Sequence, residues 1–213
     1  MADRFLAFFS DFDDGFPPEI ATRLRGGVSP RGRLVFVCSN PPGHEKTDMH
    51  AQWKRGWLEA AGISFARCDV IDDRIPPERA QELIRAASCI FLMGGNTKQQ
   101  FRFMEEYGLA GPIRQSPAAA LGLSAGAINM AALAFTLREP PYPALALADI
   151  TVTPHFGGRK NDPERMDEIL AVSHRHPIYA MCDGSAIFVQ DGRVEPLGEV
   201  YKIHFGNIEG VSP

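Results

Sequence analysis

The sequence predicts an α/β fold of three layers, a mostly parallel sheet with helices on both faces and small antiparallel strands near the C-terminus. Three observations carry this. Short continuous apolar runs, the mark of strands buried on both faces, recur from Phe5 to Ile178. Segments of helical composition, with start and stop signals, lie between them. Beyond Ile178 the runs shorten, and Asp191-Gly192 supplies a hairpin turn.

Each element has its own warrant. Phe5-Leu6-Ala7-Phe8-Phe9 is a first buried strand, and Pro17 to Leu24 a short helix with prolines at its start, where a missing N–H costs nothing. Leu34 to Cys38 is a strong second strand. Thr47 to Ala61 is helical, with Gly62 as the stop, and Ile63 to Cys68 reads as the third strand. A helix with prolines at its front covers Pro76 to Ala87. Cys89 to Met93 is a fourth strand that ends abruptly at Gly94-Gly95-Asn96-Thr97, and the next helix runs to about Tyr107, closed by Gly108. The strand Ala118 to Leu121 leads into an Ala-rich helical segment, Ala125 to Phe135. Ile150 to Val152 is a further strand, and Pro163 to Ser173 a further helix. No repeat, linker or low-complexity stretch interrupts the pattern, so one domain is expected over residues 1–213.

Composition narrows the function. A chain of 213 residues can bury a substantial core, and 45% hydrophobic with 23% charged residues is ordinary for a globular protein. A net charge of −4 without a Lys/Arg cluster argues against nucleic acid as a partner. No run approaches membrane-spanning length, and Met1-Ala2-Asp3-Arg4 offers neither a basic lead-in nor a cleavage site, so no membrane partner is expected. Cys38, Cys68, Cys89 and Cys182 each lie in or beside an apolar run, and none forms a Cys-x-x-Cys pair. Buried, reduced thiols in a cytoplasmic protein are the simplest reading.

The chemistry centres on Gly122-Leu123-Ser124-Ala125-Gly126. A serine at a sharp strand-to-helix turn needs small residues two positions to either side. The turn pushes its hydroxyl out of the sheet and turns the following N–H groups toward the same point. The bland alternative is a Gly/Ala-rich helix start with a capping serine. Ligands of such sheets bind beyond the carboxyl ends of the strands, and two further groups fall there. Gly94-Gly95 can present backbone N–H groups to an oxyanion, or can be a plain turn with Thr97 capping the next helix. His155, in Thr153-Pro154-His155-Phe156-Gly157-Gly158, can act as base to the serine, or can be a surface or capping histidine. His44, His50, His174, His176 and His204 are weaker candidates. The His174/His176 pair lacks a carboxylate or cysteine at ligand spacing, so no metal is expected. Asp183, after the apolar run Ile178 to Cys182, can orient the imidazole, or can form a structural Asp-Gly turn with Gly184. The order nucleophile, base, acid differs from the nucleophile, acid, base order of α/β-hydrolases.

Met93-Gly94-Gly95-Asn96-Thr97, Gly122-Leu123-Ser124-Ala125-Gly126-Ala127, Pro154-His155-Phe156 and Asp183-Gly184 occur in an order and spacing that resemble the peptidase E family of serine peptidases, which includes the cyanophycinases. The resemblance covers nearly the whole chain and implies a fold like that of the class I glutamine amidotransferases. It also implies a serine peptidase acting on small peptides without cofactor or metal, as a monomer or homodimer. Ser124 would be the nucleophile, His155 the base and Asp183 the acid. Backbone N–H groups at Gly94, Gly95 and Ala125 would form the oxyanion hole, with Asn96, Arg159 and Arg165 as substrate contacts. Two departures stand out. Peptidase E carries glutamate where Asp183 stands, so the backbone here must sit closer to His155. The loop after the histidine is shorter, and Asp162 falls where a basic residue would hold an aspartyl side chain. Arg159, Lys160 or Arg165 would have to substitute, so a weak preference or none for N-terminal aspartate is expected. An esterase or amidase on a non-peptide substrate, and a catalytically silent ligand-binding member, are the alternative readings.

Overall fold

A computed structural model of the chain describes residues 4–136 and 139–211, which form two sheets flanked by helices. The first part of the chain alternates strand and helix: β1 (Leu6–Phe9), α1 (Pro18–Gly27), β2 (Arg33–Val37), α2 (His44–Ala60), β3 (Arg67–Ile71), α3 (Pro77–Arg85), β4 (Cys89–Leu92), α4 (Thr97–Glu106), α5 (Ala110–Gln115) and β5 (Ala119–Leu123). Then come α6 (Ala125–Met130), β6 (Leu133–Thr136), β7 (Glu139–Pro143), β8 (Thr151–Thr153), α7 (Phe156–Arg159), α8 (Pro163–Ser173) and β9 (Ile178–Met181). The remaining strands are β10 (Ala186–Gln190), β11 (Arg193–Leu197), β12 (Val200–His204) and β13 (Asn207–Gly210).

The larger sheet has the order β11-β10-β1-β5-β4-β2-β3. Its strands β1, β5, β4, β2 and β3 are parallel, and β10 and β11 close one edge antiparallel. Phe8, Phe9, Phe36, Phe91 and Phe188 fill its faces and are fully buried. This is the two-sided burial that the unbroken apolar runs require. The smaller sheet runs β13-β12-β9-β8-β6-β7, with β6, β8 and β9 parallel. Strand β7 carries three prolines but lies at the sheet's edge, where missing ladder donors are tolerated. Asp191 and Gly192, at φ 53° and 70°, turn β10 into β11 as the sequence predicts.

Three local expectations are corrected. The third strand is not Ile63 to Cys68 but β3, Arg67–Ile71. Gly62, at φ 79°, donates to Glu59 O, and the Ile63 N–H donates to Leu58 O at 2.8 Å, so Ile63 is the buried plug of a Schellman cap on α2. The helix expected to reach Phe135 stops at Met130. Ala132 N–H turns to Ile150 O at 2.9 Å and the chain enters β6 beside β8, so tertiary pairing overrides the helical propensity of an alanine-rich run that holds no proline and whose one glycine, Gly126, lies well before the stop. The thiol of Cys68 is half-buried, because β3 is an edge strand; the other three cysteines are buried.

The carboxyl ends of β1, β2, β4 and β5 open on the same edge of the larger sheet, and the ends of β8 and β9 from the smaller sheet reach the same place. Hydrogen bonds stitch the two sheets there. Gly184 N–H donates to Asp11 O at 2.7 Å, and Ser10 N–H to Ser185 O at 3.3 Å.

Candidate active site

Ser124 follows β5 and caps α6 at φ 49° and ψ −104°. A side-chain-bearing residue in such a conformation costs on the order of 1–3 kcal/mol and persists only where its surroundings enforce it. Here Ser124 N–H donates to Phe9 O at 2.9 Å, and its carbonyl accepts from Ile128 N–H at 3.0 Å. The flanking glycines are steric necessities. A Cβ on Gly122 would lie 2.6 Å from Met130 Sδ, and one on Gly126 only 2.1 Å from Leu92 O. The elbow therefore packs directly on β4, and the serine hydroxyl is left facing the strand ends.

His155 Nε2 lies 2.8 Å from Ser124 Oγ, and His155 Nδ1 lies 2.8 Å from Asp183 Oδ1. A carboxylate only accepts, so Nδ1 carries the proton and Nε2 accepts from the serine hydroxyl. His155 itself sits in the left-handed region, at φ 59° and ψ 33°, between β8 and α7. The structure thus brings Ser124, His155 and Asp183 into one hydrogen-bonded line, and the aspartate, one methylene shorter than glutamate, reaches the imidazole directly.

A residue absent from the sequence reading holds this line in place. Ser10, fully buried just after β1, accepts from His155 N–H at 2.8 Å and donates to Asp183 Oδ1 at 2.7 Å. One hydroxyl thus fixes both the strained backbone of the histidine and the carboxylate that orients its ring. Ser10→Ala is expected to lower kcat by about 10- to 100-fold, the loss of a hydrogen bond to a charged group being worth roughly 1.5–3 kcal/mol, with KM close to wild type. An unchanged kcat in steady-state kinetics would contradict this role.

Gly94, Gly95, Asn96, Ser124 and His155 line one cavity of about 630 Å³. Gly95 has φ 137°, and a Cβ there would meet Ser39 Oγ at 2.2 Å, so the backbone approaches the cavity as only glycine allows. Ala125 is the first residue of α6, and its N–H has no helical acceptor. The side-chain oxygen of Asn96 accepts from Gln99 N–H at 2.9 Å, so Asn96 caps α4 while bordering the cavity. Asp162 is a helix cap too, accepting from the N–H groups of Glu164 and Arg165 at the start of α8. The segment after His155 contributes no described side chain to the cavity wall. Arg165 lies 4.0 Å from Glu168 and Lys160 lies 4.0 Å from Glu199, while the side chain of Arg159 lies outside the described set. The wall instead includes Asp11, Lys46, His50 and Lys54, none of which the sequence reading placed there.

Among the described residues, His44, Asp72 and Asp73 lie close enough together to hold a metal ion. They are not part of the cavity wall, and Arg74 already binds both oxygens of Asp72 while pairing with Asp48. The four cysteines are unpaired, and burial pushes the Cys38 thiol up to about 12, which removes it from nucleophilic chemistry. No helix among the described residues is long and apolar enough to cross a membrane.

The model of peptidase family S51 matches residues 33–197 of the chain. A probable alpha-aspartyl dipeptidase of Drosophila melanogaster is 33% identical over 141 residues, 58% of this chain and 58% of the relative. Peptidase E of Actinobacillus pleuropneumoniae serotype 5b is 31% identical over 134 residues, 55% of this chain and 57% of the relative. The chain thus spans little more than half the length of these curated relatives. The crystal structure of a peptidase from an acI-B1 Actinobacterium superposes with a TM-score of 0.78 over 99% of this chain and 94% of that one, at 15% identity, which is a likeness of fold.

Proposed function

The chain belongs to peptidase family S51, and from that premise we propose that it is a serine peptidase of the peptidase E kind, hydrolysing small peptides through an acyl-enzyme on Ser124. The observation that carries this reading is the unbroken line Ser124–His155–Asp183, both links at 2.8 Å, ending at a strained elbow beside a cavity. His155 Nε2 takes the hydroxyl proton as Ser124 Oγ attacks the scissile carbonyl. The N–H groups of Gly95 and Ala125 receive the oxyanion, with Gly94 shaping the turn. The imidazolium, steadied by Asp183, then gives its proton to the leaving amine. Water, deprotonated by the same histidine, frees the acyl group and restores the hydroxyl. The residues required for each step are all present in this chain, and the reading needs no cofactor. Unpaired thiols, three of the four buried, suit a reducing compartment, and we assign the protein to the cytoplasm.

A panel of unblocked dipeptides run beside p-nitrophenyl acetate, with the released amino acids quantified, tests the substrate class. Dipeptides are expected to be cleaved into their two amino acids. Cleavage of the ester with no release from any dipeptide would contradict the peptidase reading and favour an esterase.

A further inference from the structure

Helix α2 turns Thr47, Ala51, Lys54 and Leu58 inward, a core-facing stripe at helical spacing in which one position is a lysine. Lys54 is only 8% exposed. Lysine is almost never buried this far without a partner, since an ammonium taken from water loses solvation that something else must replace. Among the described residues, however, its Nζ has neither a hydrogen bond nor a carboxylate within 4.0 Å. It rests over the Trp57 ring, 3.2 Å from the centroid, and Trp57 is itself wedged edge-on against Phe12 and Phe16. Burial lowers the basicity of the ammonium and the Asp11 charge opposes that shift. The group is fixed in position, desolvated, and has three donors to offer.

Lys54 also lines the cavity that holds Ser124. Lys46 and His50, on successive turns of the same helix, border it as well. Burial and the neighbouring Lys54 and Lys46 charges push the His50 imidazole below its ordinary value, which favours its neutral form. The wall therefore sets two ammonium groups against one carboxylate, Asp11, and favours an anion.

The geometry points to Lys54 as the residue that binds a carboxylate of the peptide substrate. This rests on the peptidase reading of the same site and moves the recognition of negative charge from the segment after His155, whose Arg165 and Lys160 face other carboxylates, to the inner face of α2. A small peptide carries a carboxylate in two places, on an acidic first side chain and at its C-terminus. The ammonium serves either.

The test is kcat/KM for four substrates, Asp-Leu, Asn-Leu, Asp-Leu-amide and Asn-Leu-amide, with wild type, Lys54→Met and Lys54→Arg. In wild type, removing the carboxylate that Lys54 contacts is expected to lower kcat/KM by about 10- to 100-fold, mainly through KM. Sensitivity to Asn in place of Asp identifies the side chain as the source, and sensitivity to the amide identifies the C-terminus. Lys54→Met should abolish that discrimination to within about threefold, and Lys54→Arg should retain most of it. Lys54→Met is also expected to react with a fluorophosphonate as wild type does, because the probe carries no carboxylate. Equal discrimination in wild type and Lys54→Met would overturn the assignment. Loss of fluorophosphonate labelling in Lys54→Met would overturn it as well, by placing Lys54 in the fold or the chemistry rather than against the substrate. Turnover of none of the four peptides by wild type that still labels would instead overturn the peptidase reading.

Discussion

Ser124→Ala is expected to abolish peptide hydrolysis, with kcat falling on the order of 10⁶-fold, while the protein folds as before. In the proposed mechanism the substitution removes the atom that attacks the carbonyl, Oγ, and with it the hydrogen bond that Oγ makes to His155 Nε2 at 2.8 Å. It leaves untouched the contacts that enforce the elbow: Ser124 N–H to Phe9 O, and Gly122 and Gly126 against Met130 and Leu92. Alanine meets the same strain at φ 49° as serine, so the melting temperature should hardly move. Because the three residues act as a unit, Ser124→Ala/His155→Ala should be no slower than Ser124→Ala alone. Steady-state rates of the single and double variants check this. Multiplying losses would mean that histidine works without the serine.

Asp183→Ala is expected to cost about 10⁴-fold in kcat, since it removes both the group that fixes the histidine tautomer and the charge that stabilises the imidazolium. The geometry predicts a milder outcome for Asp183→Asn. His155 Nδ1–H and the Ser10 hydroxyl both donate to the same oxygen, Oδ1, while the side chain as a whole is 59% exposed. An asparagine can keep its carbonyl oxygen at that point and turn its amide nitrogen outward. The tautomer is then preserved and only the charge is lost, so about 10²-fold is expected. Equal losses in the alanine and asparagine variants would show that the carboxamide turns its nitrogen to the ring. Near wild-type rates in both would mean that another group orients His155.

Much of the site could be read from the chain because its demands are local. A Cβ at 122 would fall within 3 Å of Met130 and of the turn's own backbone, and one at 126 within 3 Å of Leu92 in β4, so the turn tolerates only glycine at both places and the elbow is written in consecutive residues. His155 and Asp183 announce themselves by following apolar runs, and the parallel pairing of β8 with β9 brings both to one sheet edge. Ser10 carries no such mark. Its role arises because β1 lies between β10 and β5, which carries residue 10 to a histidine 145 positions away. Lys54 falls in the stripe Thr47, Ala51, Leu58, but a lysine at such spacing ordinarily marks a solvent-facing position, so its type conceals its burial. The separate smaller sheet, the early stop of α6 and the cap at Ile63 were hidden for one reason. Each is decided by a partner distant in sequence or by a turn geometry that competes with a strong apolar pattern.

The central claim is that Ser124 is a nucleophile activated by His155, and covalent labelling tests it most directly. Wild type, His155→Ala and Ser124→Ala are treated with a fluorophosphonate, weighed intact and digested for peptide mapping, alongside a parallel assay of dipeptide hydrolysis. One adduct per chain on Ser124 is predicted for wild type, with no adduct on the same timescale in either variant. Wild type that hydrolyses dipeptides yet stays unlabelled, or that carries the adduct on another residue, would contradict the account.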